Sequence, residues 1–203
     1  MIGYAFCGSF CTLSASLNSM KLLIDRGADI LPIMSERAYS TDTRFWSARD
    51  FVMRVEDLCG REIIHSIDSA EPLGPKMPLD SLIIAPCTGN TLAKISRGIT
   101  DSAVTMAAKA HLRSDRPLLI ALATNDGLSQ NLGSLAGLIT RRSVYFVPMR
   151  QDDPVGKPHS LVAEMSMIPE CFEMMQNEEQ LRPIFLEPKK GDVTFGKTEK
   201  DKK

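Results

Sequence analysis

Short unbroken apolar runs alternate along this chain with longer stretches in which apolar residues recur every three or four positions. Residues 1–7 read as a strand, Gly8-Ser9-Phe10-Cys11-Thr12 as a turn, and residues 13–26, with Leu17, Met20, Leu23 and Ile24 at helical spacing, as a helix closed by Gly27. Residues 29–34 repeat the strand and end in the loop Ser35-Glu36-Arg37-Ala38. A polar turn follows, and residues 45–58 resume the helical pattern with Trp46, Phe51, Val52 and Val55 as its inner face. A short apolar piece over 62–67 carries His65. After it, the prolines and glycine of Glu71-Pro72-Leu73-Gly74-Pro75-Lys76 predict a rigid loop without regular structure.

Residues 79–85, apolar but for Asp80 and Ser81 near the start, form a run as expected of a strand buried on both sides. The run breaks at Pro86 into Cys87-Thr88-Gly89-Asn90-Thr91, small residues bearing hydroxyl and amide groups, before a helix over 91–98. A strand, a loop and a helix N-terminus in that order offer free backbone N–H groups and a helix dipole to an anion, with Thr88, Asn90 and Thr91 as side-chain donors. A phosphate-bearing ligand is one reading; a capped helix after a core strand is the other.

Thr100-Asp101-Ser102 predicts a cap for a helix reaching about residue 113, thinned by Met106, Ala107, Ala108 and Ala110 for tight packing or for a subunit contact in a homo-oligomer. Residues 118–123 read as a strand, Thr124-Asn125-Asp126-Gly127 as a polar loop, 129–140 as a helix and 143–148 as a strand. A long charged loop over 149–159 then leads into an amphipathic helix over 160–176. From residue 188 almost nothing remains to bury, which predicts a disordered basic tail over 188–203 after a single domain over 1–187. The fold expected is α/β: a doubly wound, mainly parallel sheet flanked by helices, a flavodoxin- or Rossmann-like three-layer sandwich. In it the loops after Cys7, Met34, Ala85, Ala123 and Val147 gather at one edge, where ligands bind.

Composition narrows the chemistry. With 203 residues, 43% hydrophobic residues and a net charge of -1, one well-filled core is expected. No Lys/Arg cluster interleaved with aromatics suggests a nucleic-acid surface, and no apolar segment is long enough to span a bilayer, so a cytoplasmic protein is expected. The five cysteines are odd in number and scattered, as reduced thiols are. Cys7 and Cys11 form a C-x3-C pair with no further ligand nearby, so no metal site is expected. Gly8 and Ser9 stand where a dinucleotide fingerprint begins, but its later glycines are missing; a single phosphate fits where NAD does not.

These loops carry a resemblance. Ala85-Pro86-Cys87-Thr88-Gly89-Asn90-Thr91 resembles the proline-alanine-serine-alanine-asparagine-threonine flavin loop of the flavoprotein family that contains phosphopantothenoylcysteine decarboxylase, lantibiotic cysteine decarboxylases and flavin prenyltransferases. Gly8-Ser9 resembles that family's first phosphate loop, and Ser35 the hydroxyl after its second strand. Thr43-Arg44-Phe45, Glu71-Pro72-Leu73-Gly74-Pro75-Lys76, Thr100-Asp101-Ser102, Met106-Ala107-Ala108-Lys109-Ala110, Thr124-Asn125-Asp126 and Gln151-Asp152-Asp153-Pro154 together resemble the dipicolinate synthase B subunits of spore-forming bacteria.

The resemblance implies an FMN pocket at Gly8, Ser9, Ser35, Pro86, Thr88, Gly89, Asn90, Thr91, Asp101, Ser102 and Asn125. It implies a mother-cell partner, the dipicolinate synthase A subunit carrying NAD(P), and oxidation of a dihydrodipicolinate-level dicarboxylate. Arg44, Lys76, Arg150 and Lys157, cations in loops, are the expected carboxylate contacts. His65 lies near the place where decarboxylase members carry a base, although Ser66-Ile67-Asp68 matches only in part and the 149–159 loop has no cysteine to act as an acid. A stand-alone FMN-dependent decarboxylase or prenyltransferase, and a non-catalytic binding subunit, remain the alternatives.

Overall fold

The computed structural model describes residues 1–74 and 76–187; Pro75 and the tail expected over 188–203 lie outside the described residues. Strand β1 (Ile2–Phe6) leads through a 3-10 turn (Phe10–Thr12) into helix α1 (Leu13–Asp25), and β2 (Ile30–Met34) into α2 (Glu36–Ser40), α3 (Ala48–Cys59) and α4 (Ile67–Ala70). A 3-10 turn (Glu71–Leu73) precedes β3 (Ser81–Cys87), α5 (Gly89–Arg97) and α6 (Ala103–Leu112). Then come β4 (Leu118–Thr124), α7 (Leu132–Ile139), β5 (Val144–Phe146), β6 (Met149–Arg150), β7 (Leu161–Ala163), a 3-10 turn (Met165–Met167) and α8 (Ile168–Gln176).

Strands β2, β1, β3, β4 and β5 pair in parallel in that order. The hairpin of β6 and β7 joins the carboxyl end of β4 antiparallel, Ala123 opposite Val162. Alternate residues of each central strand feed opposite layers. Ala5, Leu82, Ile84, Leu118 and Ile120 pack against α4 to α7, while Tyr4, Phe6, Ile83, Ala85 and Leu119 pack against α1, α3 and α8. Every residue of β3 is buried, and sealing one Ile or Leu side chain contributes about 1.5–3 kcal/mol. The doubly wound, mainly parallel sandwich expected from the strand-helix alternation is therefore the fold.

Several local expectations are corrected. The loop expected at 35–38 is the start of α2, because the Ser35 hydroxyl accepts from the Ala38 N–H at 3.3 Å and caps a short helix. The stretch after His65 is more regular than its prolines suggested: Ser66 and Ser69 form a capping box on α4, and Pro72 sits in the first turn of the 3-10 segment, where a missing N–H is tolerated. Pro86 belongs to β3 and is buried in it; the pairing of β3 with β4 shifts register between Ile84 and Cys87, the kind of irregularity that accommodates a proline inside a sheet. The long loop and long helix expected over 149–176 are a hairpin followed by a nine-residue helix, since Leu161 and Ala163 alternate into the core as a strand does and Pro169 sits where helices begin.

Candidate functional site

Strand order reverses between β1 and β3, and there the sheet's carboxyl edge opens into a cleft of about 490 Å³. Gly8, Ser35, Thr88, Asn90, Thr91, Asp101 and Ser102 line it, joined by Phe10, Glu36, Arg37 and Lys94. A second hollow of about 340 Å³ shares Gly8, Thr88 and Asn90 with the first and continues along Ser9, Gly89 and Asn125 to Thr124 and Asp126. The loops after β1, β2, β3 and β4 thus meet along one trough. Of the eleven residues that the resemblance implicates in flavin binding, Pro86 alone lines neither hollow, because it is part of the buried strand floor beneath them.

The donors are fewer than the sequence suggested. Thr88 caps α5: its hydroxyl oxygen accepts from the Thr91 N–H at 3.2 Å, and its carbonyl accepts from the Leu92 N–H at 2.9 Å. The Thr88 hydroxyl donates to Thr91 Oγ1 at 3.0 Å, and Thr91 in turn donates to Cys7 Sγ at 3.4 Å. Both threonine protons are thereby directed into the protein. The Ser9 N–H is likewise turned to the Cys7 carbonyl at 2.8 Å. The first two N–H groups of α5, Gly89 and Asn90, have no partner among the described residues; Gly89 lines the second hollow, and the exposed Asn90 lines both.

Cations were the missed part of the site. Arg37, in the last turn of α2, lies beside Gly8, where an added Cβ would be 3.5 Å from Arg37 Cβ, and its guanidinium has no partner among the described residues. Lys94 pairs with Asp101 at 2.8 Å, and that hydrogen bond holds the Asp101 carboxyl below its ordinary value. Arg37 lies in the loop expected at the ligand edge, but nothing in the sequence singles out Arg37 or Lys94 as a ligand contact; the meeting of α2 with α5 at this edge does.

The four cations expected to hold a dicarboxylate are not brought together. Arg44 is exposed and lies over the Phe45 ring at 4.8 Å. Arg150 is tied to Glu164 at 3.3 Å and to the Glu187 carbonyl at 2.9 Å, and it lines a different groove, against α1. Lys157 pairs with Asp152 at 3.0 Å, which raises its pKa. Lys76 is exposed on the segment that feeds the amino end of β3, at the other edge of the sheet. Each is engaged or exposed locally, and none lines the cleft. His65 is also outside it: the ring is exposed and stacked on Tyr39 with centroids 3.9 Å apart. Among the described residues, no three His, Cys, Asp or Glu side chains converge as metal ligands would.

The sequence model of the family described as Flavoprotein matches residues 2–149. The chain belongs to the Flavoprotein family. Within it, the chain is 42% identical over 191 residues to the B subunit of dipicolinate synthase from Bacillus subtilis (strain 168), covering 94% of this chain and 96% of that one. The crystal structure of the dipicolinate synthase B subunit from Bacillus halodurans C superposes with a TM-score of 0.84 at 37% identity, over 92% of this chain and 96% of that one. An FMN-dependent cysteine decarboxylase shares the fold with a TM-score of 0.63 at 17% identity, over 87% and 95% of the two chains.

Proposed function

We propose that this chain is the B subunit of a two-subunit dipicolinate synthase and that its cleft takes FMN. The near full-length likeness to the dipicolinate synthase B subunits carries the first half of the reading. The chemistry of the trough supports the second. A phosphate dianion matches the Gly89 and Asn90 N–H groups at the α5 N-terminus, the Ser35 hydroxyl proton and the unpaired Arg37 guanidinium. The remaining length, from Thr88 to Asn125, suits a planar ring. A bound flavin would supply a two-electron redox centre; this chain's residues would bind and orient it and shield one of its edges from water.

In this reading NAD(P) and the dihydrodipicolinate-level substrate belong to an A subunit in the mother-cell cytoplasm, and the chain self-associates as a homo-oligomer. Arg37 and Lys94 replace the dispersed Arg44, Lys76, Arg150 and Lys157 as the cations nearest the bound ligand. A non-catalytic role, in which this chain shapes its partner's site, is favoured by one observation: the sequence's single candidate base, His65, is stacked on Tyr39 outside the trough.

The test is a thermal-shift titration with FMN together with the visible spectrum of the purified chain. FMN should raise the melting temperature by mass action, and Asn90→Ala should shrink that shift. An FMN-independent melting temperature at saturating ligand would remove the flavin half of the proposal. Dipicolinate formation with and without the A subunit tests the other half.

A further inference from the structure

Asp126 stands at the far end of the trough from Arg37 and has no assigned role. Its carboxylate accepts from the Thr124 hydroxyl on one oxygen and from Asn131 Nδ2 at 2.8 Å on the other. Its backbone carbonyl accepts from the Ser129 and Asn131 N–H groups, both at 3.1 Å, and Asn131 is itself buried. The side chain is therefore fixed from two sides, yet no cation pairs with it among the described residues, and it lines the hollow beside Asn125. Each carboxylate oxygen has a second lone pair still to satisfy.

Room for this carboxylate depends on Gly89. A Cβ on Gly89 would stand 2.6 Å from Asn131 Nδ2 and 2.8 Å from Asp126 Oδ1, and closer still to Thr124 Oγ1. The trough is consequently bipolar. Its Ser35, Arg37 and Asn90 end offers donors and the Arg37 charge, beside Glu36 and the Lys94–Asp101 pair, and its Asp126 end offers a held carboxylate acceptor.

We propose that Asp126 is a specificity-determining residue of this cleft. It accepts a hydrogen bond from an N–H or O–H edge of a ligand whose anionic group lies at Arg37, and it rejects small ligands that carry a carboxylate at both ends. The proposal rests on the phosphate-and-ring reading above. In it the oxidised dicarboxylate is excluded from this trough by charge, not by size.

Calorimetric titration of the full chain with FMN and with dipicolinate, in the wild type, Asp126→Asn and Asp126→Ala, tests this. Wild-type protein should bind FMN at least about tenfold more tightly than dipicolinate. Asp126→Asn, which keeps a neutral acceptor, should lower FMN affinity about tenfold and Asp126→Ala, which removes the acceptor, at least as much, while removal of the repulsion raises dipicolinate affinity by a similar factor in both. A merely structural role would weaken both ligands together, and melting temperatures report whether each variant is folded. Variants that keep the wild-type ratio of the two affinities overturn the proposal, as does a wild-type protein that binds dipicolinate as tightly as FMN. If the wild type takes up no FMN, the flavin reading falls; the role of Asp126 then stands only if dipicolinate binding still rises in the variants, and no rise sinks it too.

Discussion

At the level of single residues, the site floor is set by burial of groups that would elsewhere be reactive. Burial pushes the Cys7 thiol up to about 11 despite the hydrogen bond it accepts from Thr91, and pushes Cys87 well above its ordinary value. The thiolate is the nucleophile, so neither reacts readily near neutral pH. Cys59 is raised to about 11 and Cys171 to about 12 by the same cause, while Cys11 is exposed. Titration of the native chain with a thiol-specific disulfide reagent should therefore show one fast thiol, abolished in Cys11→Ser; two or more fast thiols would contradict the burial argument. His111 gives a pH signature. Its ring is almost wholly buried, and Nε2 lies 2.9 Å from the Pro117 carbonyl, which can only accept, so the proton is on Nε2. Nδ1 has no partner among the described residues, and burial lowers the pKa. A lowered pKa means that the fold holds the neutral ring: the stability tied to that ring is complete above the ordinary value of 6.5 and is lost as pH falls below it. The melting temperature should fall between pH 7 and pH 5, and His111→Gln should flatten that part of the profile.

Secondary elements show what the sequence could carry. The parallel strands and their partner helices were legible because buried strands have no polar face and α1, α3 and α5 repeat apolar residues at helical spacing; Gly60 and Gly98, at φ of 64° and 72°, close α3 and α5 as glycines do. The β6–β7 hairpin was not legible, since a three-residue strand leaves too little alternation to distinguish it from one turn of an amphipathic helix. The site divides in the same way. Its loops, including those that carry Arg37 and Asp126, were marked by small hydroxyl and amide residues, but which of their charges face the trough and the place of Lys94 beside them are set by tertiary packing, and the inward-turned hydroxyls of Thr88 and Thr91 depend on Cys7, far away in sequence. One element offers a direct test. The Ser102 hydroxyl accepts from the Thr105 N–H at 3.2 Å while the Thr105 hydroxyl accepts from the Ser102 N–H at 3.0 Å, and this capping box starts a helix that is buried along most of its length. Ser102→Ala should cost about 0.5–2 kcal/mol in chemical denaturation with an unchanged denaturant slope. An unaltered midpoint would mean that packing of α6, and not its cap, determines its stability.

For the molecule as a whole, the proposed division of labour turns on what the first turn of the sheet can hold. In dinucleotide-binding folds, glycines after the first strand let a pyrophosphate come against the helix N-terminus. Here Gly8 is followed by a 3-10 turn, the Ser9 N–H is used by the Cys7 carbonyl, Thr12 donates to the Ser9 carbonyl at 2.9 Å, and Phe10 occupies the cleft wall. A single phosphate can still be met by α5 across the sheet, but the close approach to α1 that two linked phosphates require is filled by side chain and turn. In the proposed reading, hydride transfer to nicotinamide uses another chain's pocket. The purified chain, supplied with a dihydrodipicolinate-level substrate and NAD(P), should reduce no nicotinamide, and the mixture with a dehydrogenase subunit should form dipicolinate and reduced cofactor together. Substitutions in the proline-bearing 71–76 segment or in the 149–159 stretch of β6 and the loop after it should impair the mixture more than they lower this chain's melting temperature. Nicotinamide reduction by the isolated chain, at a rate comparable with the mixture, would reverse the assignment and place both half-reactions in this one trough.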